Sequence, residues 1–442
     1  MTEPDFYDIR TVETFDRTIV VDDHKVKEIT SKFSRGSGIR ALVGGSWGFI
    51  TTNNLDKKRD LSEAVKLATN LQKKSGREKL ELKDTGPNRM NSILCVKKDP
   101  RDYSEEEKVQ LIRDAEENTK ADKVVNSSAT YFESLQNVSI ENSQGSECSY
   151  EIWRIGFIVS AVAKENGTFQ TGRENRYGIC GFELFDTFEP IQLAKEASNV
   201  AVELLSAKKP SGGKMPVVLD QELAGVFAHE ALGHASEADL VLEGNSVLSG
   251  KIGEKIASSI VNVYDDSSLK EFGYFPFDDD GSKSKKKALI EEGIFKTYLH
   301  SRETASRLGG IEGNTRAEGY LEPIVRMSNT YIGNGDSSFD SMLAGIKEGV
   351  YLIGSRGGQV NTGEGIFQFN AERGYLIEGG MLTTPLRDVS LSGETLEILK
   401  KIEVVCDDLK FNPGFCGKNN QLVPVSDGSP HLFVSEALVG GA

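Results

Sequence analysis

The segment His229-Glu230-Ala231-Leu232-Gly233-His234 constrains the fold of this chain more than any other stretch. It places two of the five histidines at i and i+5, with a carboxylate beside the first. Neutral imidazoles are good zinc ligands, and an adjacent glutamate can act as general base toward water at the metal. In the common His-Glu-x-x-His metal motif the histidines stand at i and i+4, on one helical face. The extra residue here turns them about 140° apart around a regular helix. Both can reach one ion only where the helix is bulged or ends. Gly233, just before the second histidine, is the expected place of the break.

A catalytic zinc site normally takes three protein ligands and leaves one position for water. The first candidate for the third ligand is Cys416, in Asn412-Pro-Gly-Phe-Cys-Gly-Lys418, where Pro413 and the flanking glycines suggest an exposed, tightly turned thiol. A thiolate is a soft donor that favours zinc over magnesium or calcium, and Lys418 is expected to lower its pKa. The ordinary alternative is a buried cysteine in a Gly-rich turn. Glu237 and Asp239 are rival third ligands, because a His-His-Glu set is common around zinc. Cys95, Cys148, Cys180 and Cys406 are too dispersed for a disulfide framework and read as ordinary buried or half-buried thiols.

At 442 residues the chain suggests two domains, or three. Its net charge of −15 argues against a broad phosphate-binding surface, and so against a nucleic-acid partner. The dense basic run Lys283 to Lys287 reads as a solvated loop. No apolar segment reaches the roughly 20 residues that span a bilayer. The first residues, with Glu3, Asp5 and Asp8, lack the basic-then-apolar order of a signal peptide. A cytoplasmic protein without a membrane partner is expected.

The fold class expected from patterning is α+β. Residues 1–207 form an N-terminal α/β domain of two subdomains, about 1–80 and 100–207, and residues 215–442 a β-rich domain. The early strands, Thr18 to Val21, Val26 to Ile29 and Ile39 to Val43, are punctuated by turns at Asp22 to His24 and Gly36 to Gly38. Leu61, Ala64, Val65, Ala68 and Leu71 make one stripe of an amphipathic helix, and Ser104 to Glu107 is a capping box for a second. Period-two clusters over 124–185 predict antiparallel strands, and Pro190 opens a helix that ends near Leu205. The run Lys208 to Lys214 is the domain junction. Beyond it, Met215 to Leu219 is a strand, Asp220 a helix N-cap, and the helix it starts carries His229 and Glu230. Many short strands follow, interrupted by helices near 338–347 and 393–401.

These residues together carry a resemblance. The chain is similar to the TldD/PmbA family of zinc peptidases, and to its metal-bearing TldD branch. The likeness covers nearly the whole chain and is densest after Pro216. It includes HEALGHASEAD, Ser246 to Gly253, Asp278 to Gly281, Gly313 to Arg316, Pro323 to Ile332, Gly357 to Val360, Gly374 to Glu378, Gly414 to Lys418 and Gly440-Gly441. The N-terminal Gly38 to Arg40 and Trp47 to Phe49 also match. Ala238 and Asn420 depart from common family glycines.

The resemblance implies one zinc ion per chain, held by His229, His234 and Cys416, with Glu230 as catalytic general base. It implies hydrolysis of peptides or unfolded polypeptide segments, and dimers, homomeric or paired with a PmbA-type sister subunit. Zinc lowers the pKa of the water it binds, and Glu230 would take that proton and pass it to the leaving amine. His300, Tyr298 and Arg326 are candidate donors to the oxyanion. Their ordinary readings are a surface histidine, a strand tyrosine and a structural ion pair. The alternative function is a non-catalytic assembly or peptide-binding subunit, whose structural zinc would need four protein ligands.

Overall fold

Strands in the first half are far longer than the turn signals suggest. In the computed structural model, which describes residues 3–441, β1 (Phe6–Asp22) and β2 (Lys25–Val43) form one hairpin. It turns at Asp23-His24, where φ is 47° and 64°, as a tight two-residue connection requires. β3 (Ser46–Thr52), α1 (Lys57–Ser75), β4 (Arg89–Ile93) and α2 (Glu105–Glu117) follow, α2 opening at the Ser104/Glu107 capping box. β5 (Val124–Asn142), β6 (Glu147–Glu165), β7 (Thr168–Gly178) and α3 (Pro190–Ser206) complete this half. One sheet runs β3-β2-β1-β5-β6-β4, with β7 also on β6, so strands from before residue 80 and after residue 100 share it.

The expected turn at Gly36 to Gly38 is not there; these residues lie inside β2. A Cβ on Gly36 would come within 2.4 Å of the Tyr320 ring, and one on Gly38 within 2.7 Å of the Tyr320 carbonyl. The glycines admit a distant segment against the strand instead of reversing it.

Strand periodicity sorts the two faces of this sheet. Ile9, Ile19, Val21 and Tyr131 pack beneath the helices, while Val12, Val138 and Ile140 on the other face meet Phe277. That second face also carries charge. Arg40 binds Asp8 at 2.5 Å and Asp280 at 2.6 Å, and Arg10 pairs with Asp279 at 3.0 Å. These groups are largely buried, and removing one partner of such a pair strands a charge, so they fix how the halves meet.

In the second half, β8 (Gly213–Leu219) lies inside a nine-stranded sheet, antiparallel to Leu432–Gly441 and parallel to Glu348–Ile353. A six-stranded sheet ends at the strand Lys410–Lys418. Between the two sheets runs α4 (Gln221–Phe227), N-capped by Asp220. Leu223, Phe227, Ala231 and Leu232 share one core with Val217 and Leu219 of the first sheet and Val423 and Val425 of the second. The architecture is α+β, as expected.

Two sequence expectations fail here. Lys283 to Lys287 is not a solvated loop, since Lys287 is buried on the strand Lys286–Glu291 and binds Asn314, and Lys285 binds Glu312 at 2.6 Å. Burial pushes the Lys287 ammonium down to about 8 despite Asp265 and Asp278 nearby. Cys95 is exposed, not buried or half-buried.

Candidate metal centre

The polypeptide does not leave α4 as a regular helix. A π-helical turn covers Ala228–Gly233, and a 3-10 turn, His234–Ser236, follows at once. The His234 N–H donates to the His229 carbonyl, an i to i+5 bond that absorbs the extra residue of the motif. The bulge therefore brings i and i+5 to the shared face that i and i+4 have on an α-helix, and it occupies the whole motif, not Gly233 alone. Gly233 is itself helical, with φ −58°. What demands glycine is packing, because a Cβ there would sit 2.0 Å from the Met327 sulfur.

Cys416 lies on the strand Lys410–Lys418, opposite Val423, and is buried. The exposed, turned thiol expected from sequence is thus wrong; the turn comes later, at Asn419-Asn420, where φ is positive. Pro413 sits within an edge strand, where its missing N–H is tolerated. Arg326, fully buried, donates to the Cys416 carbonyl at 2.5 Å and the Gln421 carbonyl at 3.2 Å, clamping this hairpin.

Ligand atoms of His229, His234 and Cys416 all lie within 4.8 Å of one another, and all three residues are buried. The thiol sulfur is 3.3 Å from His234 Nε2, and the two imidazoles stand nearly perpendicular, 5.3 Å apart. Tetrahedral zinc with ordinary bond lengths spaces a nitrogen and a sulfur donor by about 3.5 Å, so this donor set suits it. His229 Nδ1 is buried and has no hydrogen-bond partner among the described residues, which also suits a cation nearby.

The rival carboxylates stand behind this cluster. Glu237 accepts from His234 Nδ1 at 2.9 Å and from Lys418 Nζ at 3.1 Å, and Asp239 accepts from Lys418 at 2.8 Å. Glu237 thereby fixes the ring so that Nε2 faces Cys416, the usual arrangement of a carboxylate behind a metal-binding histidine. Lys418 pairs with both Glu237 and Asp239, where the sequence suggested that it lowers the thiol pKa. Glu230 differs from its neighbours in being 38% exposed, with a carboxylate oxygen 3.8 Å from His234 Nε2. It borders the cluster on the open side.

Charge within the cluster favours the thiolate, and in return, although burial opposes it, Glu237 and Cys416 raise His234 above its ordinary value. Burial raises the Cys416 thiol, but His229 and His234 override it and hold the group well below its ordinary value, as a thiolate. Burial likewise opposes the charge on Glu237, and His234 and Lys418 overcome it. Sequence reasoning missed Asp427, on the strand Gln421–Ser429. Burial pushes it up to about 7, against the pull of His229, and its Oδ1 accepts from Asn412. A Cβ on Gly225 would meet this carboxylate at 2.5 Å, so α4 and Asp427 are in close contact. Nothing local in the sequence marks it, since the partners lie some 200 residues apart.

The three oxyanion candidates are committed elsewhere. Arg326 holds backbone carbonyls and not an ion pair. The Tyr298 hydroxyl donates to the Leu248 carbonyl and accepts from the Gly250 N–H. His300 is completely buried, not on the surface, with Nδ1 against the Thr304 hydroxyl; burial pushes it down to about 4.

Models of PmbA/TldA metallopeptidase domains match the chain in three consecutive segments: domain 1 over residues 7–71, the central domain over 98–205 and the C-terminal domain over 212–441. A metalloprotease of Archaeoglobus fulgidus is 44% identical over 438 residues, covering 99% of this chain and 100% of that one. A zinc metalloprotease TldD homolog of Saccharolobus solfataricus is 29% identical, covering 99% and 96%. Among solved structures, a proposed modulator of a DNA gyrase from Thermotoga maritima superposes with a TM-score of 0.81 at 22% identity, over 98% of this chain and 96% of that one. TldE of Thermococcus kodakarensis superposes at 0.74 and 18% identity, over 99% and 97%. At such identities the likeness to these structures is one of fold.

Proposed function

This chain belongs to the PmbA/TldD metallopeptidase family, and on that premise we propose that it is a zinc-dependent peptidase acting on peptides or unfolded polypeptide segments. The observation that carries the reading is the convergence of His229, His234 and Cys416 within 4.8 Å, with the more exposed Glu230 at their edge. The two imidazoles and the thiolate would hold one zinc ion, and Glu237 orients His234 for it. A bound zinc supplies Lewis acidity and lowers the pKa of water at the site. Glu230 would accept the proton of the attacking water on its carboxylate and return it to the leaving amine. A closed structural zinc needs a fourth protein ligand, and the engagement of Glu237 and Asp239 by His234 and Lys418 speaks for the open, catalytic arrangement.

Dimerisation, either homomeric or with a PmbA-type sister subunit, and a cytoplasmic location belong to the same proposal on family grounds. No helix among the described residues is long and apolar enough to cross a membrane. Replacing Glu230 by Gln tests the catalytic role: zinc content should be unchanged and hydrolysis of an unfolded polypeptide should fall by about a hundredfold or more. Cleavage at the wild-type rate would remove Glu230 as the base.

A further inference from the structure

Where the N-terminal sheet meets the second half, on the face of the Cys416 strand that carries Phe415, a cavity of about 570 Å³ opens. Its volume is that of a small-molecule site. Phe132, Phe275 and Phe415 give it apolar walls, and Arg154 and Arg316 line it too. These two guanidinium groups set it apart. Both are more than nine-tenths buried, yet neither has a carboxylate within salt-bridge distance among the described residues.

Arg154 donates from Nε to the Phe272 carbonyl and from Nη2 to the Tyr274 carbonyl, leaving Nη1 without an acceptor among the described residues. Among the described residues Arg316 donates only from Nη1, to the Met327 carbonyl, and stacks over Phe275 at 5.1 Å. Its Nε and Nη2 therefore present an unused side-on fork. That same edge of Arg40 grips the Asp8 carboxylate, with Nε and Nη2 at 2.5 to 3.1 Å from its oxygens.

The acidic groups around the cavity are already engaged. Asp279 is held by Arg10 and the Ala317 N–H, Glu133 by Lys108, Glu318 by the Leu422 N–H, Asp278 by the Thr315 and Ser282 N–H groups, and Asp16 by the Ser134 hydroxyl. Burial pushes both arginines down to about 10, and Arg154 and Arg326 add to the effect on Arg316 against a smaller pull from Asp279, so two like charges line one space with no directly paired carboxylate among the described residues. Buried charge of this kind is costly unless an anion answers it.

We propose that this cavity is a carboxylate-binding site. The Nε–Nη2 edge of Arg316 and Nη1 of Arg154 hold the acid group, and the apolar body of the ligand lies against Phe132, Phe275 and Phe415. A planar carboxylate matches the side-on fork, and the aromatic walls select an organic acid over a bare inorganic anion. The acid group can come from a small aryl or alkyl acid or from the C-terminal residue of a polypeptide.

Calorimetric titration of the full-length Glu230→Gln protein, which leaves ligands uncleaved, decides the matter whether or not the wild type proves to be a peptidase. The probes are N-acetylphenylalanine and its amide, a hexapeptide ending in phenylalanine as free acid and as amide, and inorganic phosphate. The acids should bind about tenfold or more tightly than their amides. That preference should vanish when Arg316→Lys, which keeps the charge but loses the fork, or Arg154→Gln is added. A preference seen only with the hexapeptide assigns the site to polypeptide ends; one seen with both pairs shows that the acid group suffices. Equal binding of acid and amide overturns the proposal without needing any arginine variant to fold. So does a preference that survives both arginine substitutions, or phosphate binding more tightly than the acids.

Discussion

The backbone N–H of His234 donates to the carbonyl of His229, so the two histidines of the motif close a single π-turn on each other. The geometry of the candidate centre follows from that bond. It converts a spacing unsuited to an α-helix into one in which both rings face Cys416, which is 182 residues beyond His234 in the chain.

The turn depends on the absence of a side chain at Gly233. Gly233→Ala would place a Cβ 2.0 Å from the Met327 sulfur, and such overpacking costs about 1–3 kcal/mol. Urea unfolding should show that loss. The double variant Gly233→Ala/Met327→Ala should be less destabilised than the sum of the two single changes. Simple additivity would mean that Met327 is not what requires glycine.

Glu237 acts through His234, so its removal should be felt in metal affinity before catalysis. Glu237→Gln should weaken zinc binding by about 10- to 100-fold in chelator competition, the usual cost of losing a carboxylate behind a ligating histidine. Unchanged affinity would mean that the 2.9 Å bond to His234 does not hold the ligand.

Burial at the start of α4 predicts a pH dependence of stability. It raises Asp220 to about 6, and together with the Asp220 charge it raises Glu222 to about 7. A carboxyl group whose pKa is higher in the folded state binds more protons folded than unfolded. Its contribution is complete below the unfolded value, near 4, and is lost as pH rises through 6 and 7. The contribution of Asp220 and Glu222 to the unfolding free energy should fall between pH 4 and pH 8, so relative to wild type Glu222→Gln should gain on the order of 1–3 kcal/mol across that range. An identical slope in the variant would contradict the assignment.

What could be read from sequence was set by the range of the interactions. The helix distortion was legible because it follows from residues 229–234 alone, as were the Ser104 capping box and the Asp220 N-cap. The glycines at 36 and 38 misled because their reason is Tyr320, remote in the chain. The dense lysines misled because Asn314 and Glu312, which answer Lys287 and Lys285, lie 27 residues on in each case. Glu237 was found but its role stayed open, since i, i+3 spacing from His234 suits a ligand and a hydrogen-bond partner equally. Asp427 was invisible, because its proximity to α4 exists only once the hairpin has folded over the helix.

If His229, His234 and Cys416 together hold one zinc ion, metal analysis of the purified wild type beside Cys416→Ala should find about one zinc per chain in the wild type and a large loss in the variant, with both proteins folded by circular dichroism. Equal zinc in the two would rule out Cys416 as a ligand.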